Sequence, residues 1–137
     1  MNPMNSLVQI VLVETSHPGN IGSVARAMKN MGLSNLVLVN PQKFPHQEAT
    51  ALAGNAVDIL NDAKTFTSIE SAIKNSKVIY ATSARERTID WPTVSARDAA
   101  DEIHELVSNT IEVSILFGRE DRGLTNDELE LANTLIE

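Results

Sequence analysis

The chain has 137 residues, 42% apolar and 21% charged, which suits one domain with a real core; with no cysteine it has neither a disulfide framework nor a thiolate metal site. Its net charge of −7 argues against general nucleic-acid binding, yet five of its six arginines (Arg26, Arg85, Arg87, Arg119, Arg122) fall just beyond predicted strand ends, and an Arg-lined edge can hold a phosphate chain. No apolar run reaches the roughly 18 residues of a membrane span and the first residues lack a signal-peptide pattern, so the expected compartment is the cytoplasm.

Residues 7–13 are almost continuously apolar, as in a parallel strand covered on both faces. A turn through Pro18-Gly19 follows, and Asn20 is placed to cap a helix that runs to Met31 and ends at Gly32. Ile21, Val24, Ala25 and Met28 repeat at helical spacing and predict its buried stripe. Arg26 points away from that stripe, one turn into the helix. It would lie near the carboxyl end of the strand, where open α/β sheets bind ligands, though an arginine there can equally be solvated or paired with a carboxylate.

Residues 36–39 form the second strand, ended by Asn40-Pro41. Ala49, Leu52, Ala53 and Ala56 predict a short helix with an irregular sequel, and a capping box from Thr67 to Glu70 opens another helix over 68–74. The third strand is 77–81. A polar loop then runs to Trp91, and Pro92 blocks its simple continuation as a strand. Ala99, Ile103, Leu106 and Val107 mark an amphipathic helix, and 113–117 the fourth strand. A second capping box, Thr125 to Glu128, opens a last helix carrying Leu129, Ala132, Leu135 and Ile136.

This alternation predicts an α/β fold: a mostly parallel sheet, helices on both faces, and loops 14–20, 82–91 and 118–124 gathered at one edge. The loop Gly118-Arg119-Glu120-Asp121-Arg122-Gly123 pairs two glycines, which let backbone approach a ligand, with four alternating charges; an ordinary surface turn fits it equally. Thr82-Ser83-Ala84 offers small side chains and backbone donors after a strand. There is no GxxxxGK[ST], GxGxxG or GxSxG pattern, and His17, His46 and His104 are too scattered for a metal site.

Two motifs then carry a resemblance. Asn20-x-Gly22-Ser23-x-x-Arg26 resembles the first motif of the SPOUT-class RNA 2′-O-ribose methyltransferases of the TrmH-like branch, and Phe117-Gly118-x-Glu120-x-x-Gly123-Leu124 resembles their second. The wider wording, Leu12-Val13-Glu14-Thr15-Ser16-His17 and Thr82-Ser83-Ala84-Arg85-x-Arg87-Thr88, is similar to members that methylate the ribose at position 32 of tRNA anticodon loops.

The resemblance covers nearly the whole chain. It implies S-adenosylmethionine as methyl donor with no metal, tRNA as substrate, a homodimer, and a C-terminal trefoil knot. It also implies Arg26 as the catalytic arginine, Asn20 and Glu120 shaping the site, and backbone at Thr82, Ser83, Ala84 and Gly118 holding the adenosine end. Arg85, Arg87, Arg119 and Arg122 become candidates for RNA-backbone contact. The family's third motif, a Ser-Leu-Asn-type loop and final helix, is expected soon after Glu137. Residues 1–137 are therefore expected to be the N-terminal portion of a SPOUT domain, with a half-built cofactor pocket and an incomplete knot. Two other readings stay open: a noncatalytic RNA-binding or dimerisation module of this fold, and an unrelated small-ligand α/β sensor.

Overall fold

The computed structural model describes residues 3–83 and 90–137. Its strands are β1 (Val8–Val13), β2 (Asn35–Val39), β3 (Lys64–Phe66), β4 (Val78–Thr82), β5 (Thr93–Val94), β6 (Val113–Phe117) and β7 (Thr134–Ile136). They form one sheet in the order β3-β2-β1-β6-β4-β7-β5, with every pairing parallel. The helices are α1 (Pro18–Asn30), α2 (Gln47–Ala53), α3 (Val57–Asn61), α4 (Ile69–Ile73), α5 (Ala96–Ser108) and α6 (Asn126–Leu129).

Side chains alternate across a strand, so a strand buried on both faces must be apolar at nearly every position. Ile10, Leu12, Leu36 and Leu38 pack on one face with Ile21, Ala25 and Met28 of α1, Ala49 and Ala53 of α2, Ile59 of α3 and Ala99 and Val107 of α5. Val11, Val13, Val37, Val39 and Leu116 pack on the other with Ile69, Ala72 and Ile73 of α4 and Leu129 of α6. The expected α/β sheet with two covered faces is what forms. No described helix is long and apolar enough to cross a membrane.

α1 is held most tightly by α2. A Cβ at Gly22 would lie 2.1 Å from the Ala49 carbonyl oxygen, so the two helices touch backbone to backbone. The end of α1 is a Schellman turn: Leu33 N–H donates to Met28 O (2.8 Å) and Gly32 N–H to Lys29 O (3.1 Å), with Met31 as cap and Gly32, at φ +77°, one residue beyond it.

Several boundaries differ from the sequence reading. α1 starts at Pro18, with His17 as N-cap, because proline's missing N–H costs nothing in a first turn. Asn20 is therefore inside that turn and not its cap, and Arg26 lies in the third turn, not one turn in. α4 is capped by Ser68, whose hydroxyl accepts from Ser71 N–H, rather than by Thr67. The last helix stops at Leu129, and Leu135 and Ile136 belong to β7. Asn133 exchanges hydrogen bonds with Ile79 through both its side chain (2.7 Å) and its amide (2.8 Å), and Leu135 N–H donates to Pro92 O (2.8 Å). Open ladder positions beside β4 thus capture a segment whose apolar spacing also fits a helix. β3 and β5 are short strands at the two sheet edges that the periodicity did not mark.

Candidate functional site

The register aligns Leu12 with Phe117 and Ala81 with Leu116, so the turns after β1, β4 and β6 emerge at one carboxyl edge. Thr82 Oγ1 donates to Leu116 O (3.2 Å), and Ser83, itself buried, donates its N–H to Ile136 O (2.9 Å). Thr82, Ser83 and Gly118 therefore end neighbouring elements. Ala84, Arg85 and Arg87 lie outside the described residues.

Glu120 reaches from the turn after β6 to the start of α1. Its carboxylate accepts from His17 N–H (2.9 Å), Ser16 N–H (3.2 Å) and Asn20 Nδ2 (3.1 Å). Desolvation pushes this carboxyl upward, but donation from the His17 and Ser16 amides and from Asn20 outweighs it and holds Glu120 below the ordinary value of 4.5. An anion at the positive end of α1 is also favoured by the helix dipole.

Arg119, its neighbour, reaches the opposite way. Nη2 donates to Glu14 Oε2 (2.6 Å) and Glu128 Oε2 (3.0 Å), and Nη1 to Glu128 Oε1 (2.8 Å) and Gly123 O (3.3 Å). The side chain is only 12% exposed. Glu128, which also completes the capping box of α6, is held below its ordinary value because donation from Arg119 and Thr125 overcomes the upward push of burial. The turn closes on itself: Gly123 N–H donates to Arg119 O (2.8 Å), and a Cβ at Gly118 would lie 2.3 Å from the Gly123 carbonyl carbon. Only glycine fits at 118.

Between α1 and the end of β6 lies an open groove of about 360 Å³. Leu12, Val24, Ala27 and Phe117 give it apolar walls, and Thr15, Asn20, Ser23, Gly118 and Glu120 give it polar ones. The structure thus gathers Asn20, Gly118 and Glu120 in one place. Arg26 is not part of the lining. It is exposed and makes no hydrogen bond or ion pair to another described residue. Arg122 is exposed beside Asp121, at 3.9 Å.

The SpoU rRNA methylase family model matches residues 7–137. The chain belongs to that family. Two curated relatives stand near this SpoU-family chain in sequence. TrmJ of Pseudomonas aeruginosa strain UCBPP-PA14, a tRNA (cytidine/uridine/adenosine-2′-O-)-methyltransferase, is 51% identical over 90% of this chain and 48% of its own length. TrmJ of Salmonella typhimurium, a tRNA (cytidine/uridine-2′-O-)-methyltransferase, is 48% identical over 90% of this chain and 50% of its own. The chain spans about half the length of these curated relatives.

Among solved structures, a probable methyltransferase from Bordetella pertussis Tohama I matches with a TM-score of 0.91 at 35% identity, covering 100% of this chain and 84% of that one. TrmJ from Z. mobilis ZM4 matches at 0.88 and 38% identity, covering 93% and 56%. The SpoU methyltransferase AviRb from Streptomyces viridochromogenes, solved with AdoMet, shares the fold at a TM-score of 0.64 and 19% identity, covering 93% and 49%.

Within this SpoU fold, three parts of the site escaped the sequence reading. The Ser16 and His17 amides that grip Glu120 are backbone groups, and no residue type announces them. Glu14 stood only as the first residue of the 14–20 loop. Glu128 was read as a cap only, although the same carboxylate takes both the Thr125 amide and Arg119. An acid 14 residues into the chain and another nine beyond Arg119 are brought together only by the parallel pairing of β1 with β6.

Proposed function

We propose that this chain takes part in the transfer of a methyl group from S-adenosylmethionine to a ribose 2′-hydroxyl of tRNA, at position 32 of the anticodon loop, in the cytoplasm. The observation that carries this reading is 51% and 48% identity, over 90% of the chain, to tRNA 2′-O-methyltransferases. The grouping of Asn20, Gly118 and Glu120 around one groove supports it.

The residues present fit the cofactor. Thr82 and Ser83 at the end of β4 and Gly118 after β6 put neutral backbone and small side chains at one sheet edge. Such a neutral donor and acceptor set suits an adenosine, and the apolar walls at Leu12 and Phe117 suit its uncharged faces. When bound, S-adenosylmethionine supplies an electrophilic methyl group.

A guanidinium is a hydrogen-bond donor with no acceptor site, so Arg26 does not take the hydroxyl proton. Its role in this reading is to grip a neighbouring phosphate and stabilise the alkoxide as it forms, a contribution of roughly 3–4 kcal/mol for preorganised charge. The proton leaves to water or to a substrate phosphate. Asn20 and Glu120 fix the start of the helix that carries Arg26. Because Arg26 stands outside the groove of its own chain, the reading includes a homodimer in which the second copy completes the site. Arg85, Arg87 and Arg122 remain the proposed contacts to RNA backbone.

The test incubates tRNA transcripts and labelled S-adenosylmethionine with this chain, and separately with the chain fused to the C-terminal part of the Pseudomonas aeruginosa relative. Label recovered as a 2′-O-methylated nucleoside at position 32 supports the reading. No label with either form, despite tRNA binding, favours the noncatalytic RNA-binding module.

A further inference from the structure

We infer that Arg119 is a positioning residue for the groove and not a contact to RNA, an assignment that rests on the methyl-transfer reading. All four guanidinium hydrogen bonds that it makes to described residues go to Glu14, Glu128 and Gly123. A phosphate approaching it would meet the two carboxylates first, and like charges repel.

Each partner is itself anchored. Glu14 leaves β1 with φ 53°, and its N–H donates to Val39 O (2.8 Å), so the sheet sets its place. Glu128 is fixed by the capping box of α6, where its carboxylate accepts from Thr125 N–H (2.7 Å). Arg119 ties its turn to both. The residues on either side of it, Gly118 and Glu120, line the groove. Glu120 in turn grips the amides that lead into α1. The two side chains thus pull one turn in two directions, and the groove depends on both.

A planar fork is what this geometry uses. It meets Glu128 through two nitrogens while one of them also reaches Glu14; an ammonium cannot span both carboxylates in that way. Arg119→Lys therefore preserves charge and loses position. A phosphate contact would respond differently, since lysine also binds phosphate as a point charge.

The experiment uses Arg119→Lys, Arg119→Gln and Glu14→Gln, each in the full chain and in the fusion described above. Three quantities are read beside a thermal melt: affinity for S-adenosylmethionine by calorimetry, the slope of log Kd for tRNA against log salt, and amide exchange at His17 and Gly123. The expected result is a loss of cofactor affinity of about tenfold or more, with an unchanged salt slope and faster exchange at both amides. A salt slope flattened by about one unit in Arg119→Gln, which removes the charge, with cofactor affinity intact would make Arg119 an RNA contact and overturn the inference. So would parental affinity and exchange in Arg119→Lys and Glu14→Gln. If Arg119→Lys does not fold, Glu14→Gln decides by the same readings. If the parent binds no S-adenosylmethionine, the functional reading falls, and the exchange data alone support or overturn the positioning role.

Discussion

Asn20 and Glu120 stand 100 residues apart in the chain and are joined by a 3.1 Å hydrogen bond from Nδ2 to Oε2. The bond couples the two motifs directly: one lies in the first turn of α1, the other in the turn after β6. Glu120→Gln tests the coupling. An amide presents one acceptor oxygen where the carboxylate presents two, and its NH2 would face donors. Hydrogen bonds to charged groups contribute about 1.5–3 kcal/mol, and the exposure of Glu120 reduces that, so a loss of about 1 kcal/mol in urea unfolding is expected. Faster exchange at the His17 amide should accompany it. A variant with parental stability and exchange would show that the contact holds nothing together.

The same carboxylate sets a pH dependence. Glu120 and Glu128 are both held below the ordinary value of 4.5 in the folded chain. A carboxyl depressed by folding contributes stability that is fully present above its unfolded value and is lost as pH falls through its folded value. The melting temperature should therefore be flat from neutral pH to about 5 and drop below 4.5. Combining Glu120→Gln with Glu128→Gln should shallow that drop. An equally steep drop in the double variant would assign the acid transition to other groups.

The two-faced sheet was legible because β1, β2 and β6 are nearly continuous apolar runs, and little but a covered parallel strand uses that pattern. The start of α1 was misread because Asn20 is a good capping residue by type. Its partner is a carboxylate brought from the far end of the sequence, and local preference says nothing of that. β7 was misread for a related reason. Leu129, Ala132, Leu135 and Ile136 satisfy helical spacing, but Asn133 and Leu135 bond to Ile79 and Pro92, and a three-residue strand has too few positions to show its own period. Arg119 could be placed beyond a strand end, and the resemblance made it a candidate RNA contact, but its ties to Glu14 and Glu128 follow no local pattern and were not legible.

Gly22 belongs to the first motif, and its role is packing. A methyl group there would sit 2.1 Å from the Ala49 carbonyl oxygen and 2.9 Å from its carbon, both backbone atoms that cannot turn aside. Gly22→Ala must push α1 away from α2, and overpacking of this type costs about 1–3 kcal/mol. Gly19→Ala is the control. Its nearest obstacle is the tip of Leu52, a flexible side chain that is 49% exposed. Denaturant midpoints should separate the two, with Gly19→Ala close to the parent. Similar losses in both would mean that the close approach of α1 and α2 is not what requires glycine at 22.

Arg26 offers the sharpest separation of stability from activity. It is exposed on α1 and has no hydrogen-bonding or ionic partner among the described residues, so no contact among them depends on it. Arg26→Lys should leave the unfolding free energy within about 0.5 kcal/mol of the parent. If its guanidinium steadies the alkoxide and a neighbouring phosphate, the same change should lower kcat roughly 100-fold, the scale on which single preorganised donors act. Cofactor affinity should be unchanged, since Arg26 lies outside the groove that Asn20, Gly118 and Glu120 line. A variant that turns over like the parent would remove Arg26 from the chemistry. A variant that loses cofactor affinity instead would place Arg26 against the cofactor, through the second copy of the chain.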